Sequence, residues 1–127
     1  MSTVLTVLIV DDDSQVRFLL KTILEDAGYE VDEAETGIEA LKRYDPDRHD
    51  IVILDIIMPD MEGVETLRRL RTRDPSVRVI AVSGGGRLEG EHYLKMMRGF
   101  GLQYTFPKPV DPDKLLEAVR DLSGENR

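Results

Sequence analysis

The sequence predicts an α/β protein: a five-stranded parallel sheet, doubly wound, with helices on both faces. Three observations carry this expectation. Apolar, β-branched runs recur at residues 4–10, 51–54 and 77–82, too short for buried helices and too continuously apolar for half-exposed strands. Between the strand segments, apolar residues recur at the three- and four-residue spacing of amphipathic helices. Turn residues separate the two kinds of segment, and five strands alternating with five helices imply right-handed crossovers that cover both faces of the sheet.

The first run, residues 4–10, is interrupted only by Thr6 and ends in Asp11-Asp12-Asp13-Ser14. Asp13 or Ser14 is most simply the N-cap of the helix that follows. Val16, Leu19, Leu20, Ile23 and Ala27 mark its apolar positions, and Gly28 supplies the stop. Residues 30–34 alternate and predict a short strand nearer an edge. Thr36 with Glu39 three residues later has the capping-box pattern, opening a helix through Ile38, Leu41 and Tyr44 that Asp45-Pro46-Asp47 ends. Residues 51–54 predict a central strand, with Asp55 at its carboxyl end. The breaker segment Met58-Pro59-Asp60-Met61-Glu62-Gly63 leads into a helix over about 62–73, with Val64, Leu67 and Leu70 on one face.

Asp74-Pro75-Ser76 precedes the strand at 77–82, which ends at Ser83 and three glycines. The next helix carries Tyr93, Met96, Met97 and Phe100 at helical spacing and stops at Gly101. Residues 103–106 predict the last strand, followed by Pro107-Lys108-Pro109. Asp111-Pro112 then supplies a cap and a favoured first-turn proline for a final helix with Leu115, Ala118, Val119 and Leu122 inward.

Length and composition narrow the function. The 127 residues are expected to form a single domain, 1–127, with no output domain. No cysteine is present, which excludes disulfides and thiolate metal sites and is compatible with a reducing cytoplasm. The net charge of -8, from 25 acidic and 17 basic residues, argues against nucleic-acid binding and against anionic membranes, since both need a basic face. Met1-Ser2-Thr3-Val4-Leu5 lacks a basic n-region and soon meets three aspartates, so a cytoplasmic protein is expected, without signal peptide or spanning helix.

The chemistry is expected at the strand tips. In open α/β sheets the carboxyl ends of the strands face the crevice where ligands bind. Asp11 and Asp12 end the first strand and Asp55 the third, two strands that a parallel sheet can set side by side. Asp11 and Asp12 together exceed what capping needs, because one helix takes one cap. Three crowded carboxylates repel one another unless a cation or protons offset them. Hard oxygen ligands in an incomplete protein shell suit Mg²⁺, which keeps waters and often shares its coordination with a phosphoryl group. Ser83 ends the next strand and Lys108 follows the last. A hydroxyl and a cation converging on a carboxylate and a metal are the parts needed to steady a phosphoryl group on Asp55. Alone, Asp55 reads as a turn initiator, Ser83 as a turn hydroxyl and Lys108 as a surface lysine. His49 and His92 lack ligand spacing and are read as surface residues, and Met96-Met97 as core or partner surface.

In combination these segments make the chain resemble the receiver domain of two-component response regulators over nearly its full length. The motifs are Asp11-Asp12 after Val7-Leu8-Ile9-Val10, the segment from Leu54-Asp55 to Glu62-Gly63, Ser83 closing the fourth strand, and Lys108-Pro109. The resemblance implies a flavodoxin-like strand order of 2-1-3-4-5, an order the general rule for such folds already illustrates with a receiver protein. It implies that Asp55 is the phosphoacceptor, taking a phosphoryl group from a sensor histidine kinase or phosphotransfer protein. It also implies that Asp12, Asp55 and the backbone carbonyl of Ile57 bind Mg²⁺ directly and Asp11 through water, while Ser83 and Lys108 contact the phosphoryl oxygens. The Lys108-Pro109 bond is usually cis in the family.

Two features depart from the family pattern. Thr105 stands where an aromatic residue is often found three positions before the lysine, and the adjacent Tyr104 should point to the other face of its strand. Ser83-Gly84-Gly85-Gly86 gives the following loop unusual freedom. A downstream protein is expected to bind the face formed by the helix over about 88–100, the fifth strand and the last helix. The alternative is a module with the same fold that binds partners without phosphorylation. A flavin binder would want hydroxyls and glycine where this chain has three aspartates. A haloacid dehalogenase-like phosphatase would want an acid where Ile57 stands. No enzymatic activity beyond self-phosphotransfer and autodephosphorylation is therefore expected.

Overall fold

The computed structural model describes residues 4–57, 63–83, 95, 98–99 and 101–124. Within them the chain forms β1 (Thr6–Val10), α1 (Ser14–Asp26), β2 (Glu30–Ala34), α2 (Gly37–Arg43), β3 (Ile51–Asp55) and α3 (Gly63–Arg73). These are followed by β4 (Val79–Ser83), β5 (Tyr104–Pro107) and α4 (Pro112–Ser123). The five strands make one parallel sheet in the order β2-β1-β3-β4-β5, as expected. The helix expected over 88–100 lies outside the described residues except for Lys95, Arg98 and Gly99. His92, the Met96-Met97 pair, the segment 58–62 and glycines 84–86 also lie outside them.

Strand alternation divides the interior into two cores. Leu8, Val10, Val52, Leu54 and Ala81 point to one face, where Ala40 and Leu41 of α2 and Leu67 and Leu70 of α3 cover them. Val7, Ile9, Ile51, Ile53, Ile80 and Val82 point to the other, against Leu20 and Leu24 of α1 and Leu115, Ala118 and Val119 of α4. β1, β3 and β4 are buried along their whole length, which is why those runs contain almost no polar residue. Each fully buried leucine or isoleucine stabilises the fold by about 1.5–3 kcal/mol relative to exposure. β2 and β5 are the edge strands, and β2 is mostly half-buried, as its alternating sequence indicates.

The caps follow the sequence closely. Asp13 caps α1, its carboxylate accepting from the backbone N–H groups of Gln15 and Val16. Thr36 Oγ1 accepts from Glu39 N at 3.0 Å, while the Glu39 carboxylate pairs with Arg43. Asp111 caps α4, with Pro112 in its first turn and Gly124 closing it at φ 83°. No helix among the described residues is long and apolar enough to cross a membrane.

Some expectations are corrected. His49 is not a surface residue: it is 5% exposed and stacks on Tyr44 at a centroid distance of 5.9 Å. Its Nδ1 accepts from the backbone N–H of Asp45, so Nε2 carries the proton that it donates to Asp32 Oδ2 at 2.7 Å. The turn from Asp45 to His49 brings the imidazole against Tyr44 and Asp32, a tertiary placement that no linear spacing announces. Ile38 is 47% exposed, because α2 turns Gly37, Ala40 and Leu41 inward and Ile38 sits about 100° around the helix from Gly37. Leu19 and Ala27 are likewise exposed, since the buried line of α1 runs through Arg17, Leu20 and Leu24.

Candidate functional site

The site is built where β1 and β3 end side by side. Their register pairs Val10 with Leu54, so Asp11 and Asp55 emerge next to each other at the carboxyl edge. Asp11 is fully buried. Its backbone N–H donates to Ala34 O at 3.1 Å, and its Oδ1 accepts from Asp13 N at 2.9 Å. With Asp13 occupied in capping, Asp11 and Asp12 are left free of that task; Asp12 is exposed. Asp55 is 3% exposed, and its Oδ1 accepts from Ile57 N at 3.0 Å. One carboxylate oxygen from each of Asp11, Asp12 and Asp55 can be chosen so that all lie within 4.8 Å of one another.

The other two expected residues arrive from the next strands. Lys108 Nζ lies 2.6 Å from Asp11 Oδ2 and 3.3 Å from Asp55 Oδ2. Its backbone N–H donates to Ser83 O at 2.8 Å, which ties the segment after β5 to the end of β4, and the Lys108-Pro109 bond is cis. The Ser83 hydroxyl is buried and has no hydrogen-bond partner among the described residues. A buried hydroxyl without a partner is uncommon and marks a position at which an incoming polar group would be satisfied. The structure thus gathers Asp11, Asp12, Asp55 and Lys108 by direct geometry, with Ser83 and Ile57 at the ends of the adjoining segments.

A glycine shapes the floor of the site. Gly63, the first residue of α3, packs against the backbone that follows β3, and its N–H donates to Ile56 O at 3.2 Å. A Cβ there would fall 2.2 Å from Ile56 Cα and 2.8 Å from Asp55 O. Only glycine permits α3 to start this close to the acidic residue.

The electrostatics follow from the crowding. Burial pushes the Asp55 carboxyl up to about 6, with the Asp11 charge adding to the rise; the Ile57 N–H and Lys108 oppose it. For Lys108, burial alone would lower the ammonium's pKa. The hydrogen bond to Asp11 and the charges of Asp55 and Asp11 outweigh it and hold the group above its ordinary value. A divalent cation fits this donor set. The ligands are hard carboxylate oxygens, they are few enough to leave room for water or a phosphoryl oxygen, and a cation would offset both the burial of the Asp55 charge and the smaller repulsion from Asp11.

Two features of the site escaped the sequence. Arg17 is 8% exposed and donates from Nη1 to the backbone carbonyl of Asp11 at 2.6 Å, with Glu33 and Glu35 beside it. The signal was present: Arg17 shares the inward spacing of Leu20 and Leu24. An apolar groove formed by Val16, Leu19, Leu20, Pro109 and Val110 opens beside Lys108, and Phe18 on the same helix is 71% exposed.

The comparisons with known proteins agree with this geometry. The profile of the response regulator receiver domain matches residues 7–120. The chain is 41% identical over 116 residues to the chemotaxis protein CheY of Listeria monocytogenes, covering 91% of this chain and 95% of that protein. It is 34% identical over 114 residues to sporulation initiation phosphotransferase F of Bacillus subtilis, covering 90% of each. Among solved structures, the response regulator TrrA of Thermotoga maritima, crystallised in complex with Mg(2+)-BeF, superposes with a TM-score of 0.81 at 34% identity. That match covers 93% of this chain and 98% of TrrA.

Proposed function

We propose, since this chain belongs to the receiver domain family of two-component response regulators, that Asp55 accepts a phosphoryl group from a histidine kinase or phosphotransfer protein. The receiver then signals by binding another protein. In the transfer, an Asp55 carboxylate oxygen attacks phosphorus as the P–N bond of a phosphohistidine breaks and the imidazole leaves with the bonding pair. The acceptor must be ionised to attack. With its carboxyl near 6 it is mostly ionised at neutral pH, and so is nucleophilic without the help of a general base. Lys108, now on Asp11 and Asp55, would turn to the incoming phosphoryl oxygens, and the Ser83 hydroxyl would donate to one of them.

Asp12, Asp55 and the Ile57 carbonyl would hold Mg²⁺ directly and Asp11 through water, and the ion when bound would neutralise charge shared between carboxylate and phosphoryl group. The exposed apolar surface of α1, next to Lys108, suits docking of the phosphodonor. The proposed output face comprises the region 88–100, β5 and α4. On it Thr105 shares a sheet face with Ala81, while Tyr104 and Phe106 pack on the opposite one. The reading extends to a receiver acting in the cytoplasm. The match to CheY over 95% of that protein, and to the sporulation phosphotransferase over 90% of that one, supports the receiver reading.

The observation that carries the proposal is the convergence of the three carboxylates and Lys108 on one crevice, at strand ends that also carry a buried serine hydroxyl with no partner among the described residues. Intact-mass measurement after incubation with acetyl phosphate tests it. A single phosphate adduct is expected in wild type with Mg²⁺, and none with excess chelator or in Asp55→Asn. A full adduct in either control would overturn the assignment of Asp55, and no adduct in wild type would favour a module that binds without phosphorylation.

A further inference from the structure

We propose that Arg17 is a positioning residue for the Asp11-Asp12 carboxylate pair, a role that rests on the metal-site reading above. The last backbone pairing between β1 and β2 matches Val10 with Ala34, so Asp11 lies just beyond the ladder. Its N–H is still held, by Ala34 O, but its carbonyl is held by the Arg17 guanidinium, in a buried contact of 2.6 Å. A charge-assisted bond of this length fixes the peptide between Asp11 and Asp12, and with it the directions in which the two carboxylates leave the chain.

The guanidinium is itself fixed. Nε lies 3.1 Å from Glu33 Oε1 and Nη2 lies 3.4 Å from Glu35 Oε1, and the two glutamates stand two residues apart at the end of β2, on one side of the chain. Three partners in three directions hold one rotamer, which a lysine ammonium could not reproduce. Arg17 approaches the acid pair from the side of β2, away from Lys108, which engages the Asp11 carboxylate. Arg17 would therefore act on the metal site through the backbone of Asp11 and not as a ligand.

Groups that orient metal ligands from behind typically change affinity 10–100-fold when removed. Calorimetric titration of the unphosphorylated protein with Mg²⁺, paired with denaturant unfolding without metal, separates this role from a merely structural one. Arg17→Met, which keeps the buried stem, is expected to weaken Mg²⁺ binding at least about tenfold, and Arg17→Lys to recover part of that loss. In Arg17→Met the phosphorylation rate with acetyl phosphate should return toward wild type at saturating Mg²⁺. Glu33→Gln with Glu35→Gln weakens the outer ties but leaves the carbonyl contact, and should shift affinity less than about threefold. A folded Arg17→Met with wild-type affinity would overturn the role, as would an equal loss in the double glutamine variant. Should Arg17→Met fail to fold, Arg17→Lys with unchanged affinity would overturn it. Absence of Mg²⁺ binding by wild type would remove the metal-site reading and this proposal with it.

Discussion

Lys108 Nζ lies 2.6 Å from Asp11 Oδ2, a contact between residues 97 apart in sequence that closes the candidate site across the sheet. Both side chains are largely withdrawn from solvent, at 17% and 1% exposure. Breaking such a pair by removing one member leaves a buried charge uncompensated, at a cost of about 3–5 kcal/mol. Lys108→Met is therefore expected to lose stability on that scale in chelator at pH 7, because Asp11 and Asp55 then face each other alone. Adding Asp11→Asn should restore most of the loss. Denaturant unfolding of the two single variants and the double variant checks this. Additive losses would mean that the pair does not interact as the distance indicates.

The acceptor makes stability depend on pH in an unusual direction. The Asp55 carboxyl sits near 6 in the fold against an ordinary 3.8, so between these values the folded state binds more protons than the unfolded one. Stability from this group is complete below about pH 4, falls as pH rises, and is reduced by up to about 3 kcal/mol above pH 6. Without metal, Asp55→Asn should be more stable than wild type at pH 7, and the gain should vanish toward pH 4. Mg²⁺ should raise the melting temperature of wild type but not of this variant. Asp12→Asn should raise apo stability as well, by less, because Asp12 is exposed and water screens its repulsion. A gain in Asp55→Asn that does not change with pH would show that charge is not its source.

The approach of Gly63 to Ile56 links packing to chemistry. A methyl group 2.2 Å from Ile56 Cα must displace backbone, since no flexible side chain can yield there. Gly63→Ala is expected to cost about 1–3 kcal/mol. It should also lower Mg²⁺ affinity, because the displaced segment runs from Asp55 to Ile57. Unfolding and titration with Mg²⁺ measure the two effects. Lost stability with unchanged affinity would mean that the strain is absorbed in α3 and not at the strand tip.

Much of this arrangement was legible because it is written in local chemistry. The apolar runs of β1, β3 and β4 are buried on both faces and, Thr6 apart, hold polar residues only at their carboxyl ends, so those ends were marked by a carboxylate or hydroxyl. Asp11, Asp55 and Ser83 each stand at such a boundary, and parallel register does the rest. The Asp13, Thr36 and Asp111 caps were equally readable, since a cap is a bond between near neighbours. Ile38, Leu19 and Ala27 were misplaced by a helix face turned from the expected one, while the polar residues that escaped the sequence have partners brought by the fold. His49 is buried because Asp32 and Tyr44 meet it across a turn, and Arg17 because Glu33 and Glu35 reach it from β2. Polar side chains with distant partners carry no periodic signature, and their burial is decided by the pairing itself.

The lifetime of the phosphorylated form should depend on Ile57. Hydrolysis of an aspartyl phosphate needs a water aligned with the bond that breaks, so access alone is insufficient. Ile57 lies two residues beyond the acceptor, is half-buried, and packs its side chain partly against the core of the α2 and α3 face. It can neither orient water by hydrogen bonding nor leave easily, and its N–H is already committed to Asp55 Oδ1. Both properties slow attack. Ile57→Asn supplies a donor and an acceptor at that position, and is expected to shorten the phosphate lifetime about tenfold, the effect of about 1.4 kcal/mol in barrier. The substitution also forfeits some packing, so stability must be measured alongside to show that the variant remains folded. Decay of the adduct by intact mass, after donor removal at fixed Mg²⁺, gives the rate. A folded variant with an unchanged or longer lifetime would show that another part of the site governs the entry and alignment of water.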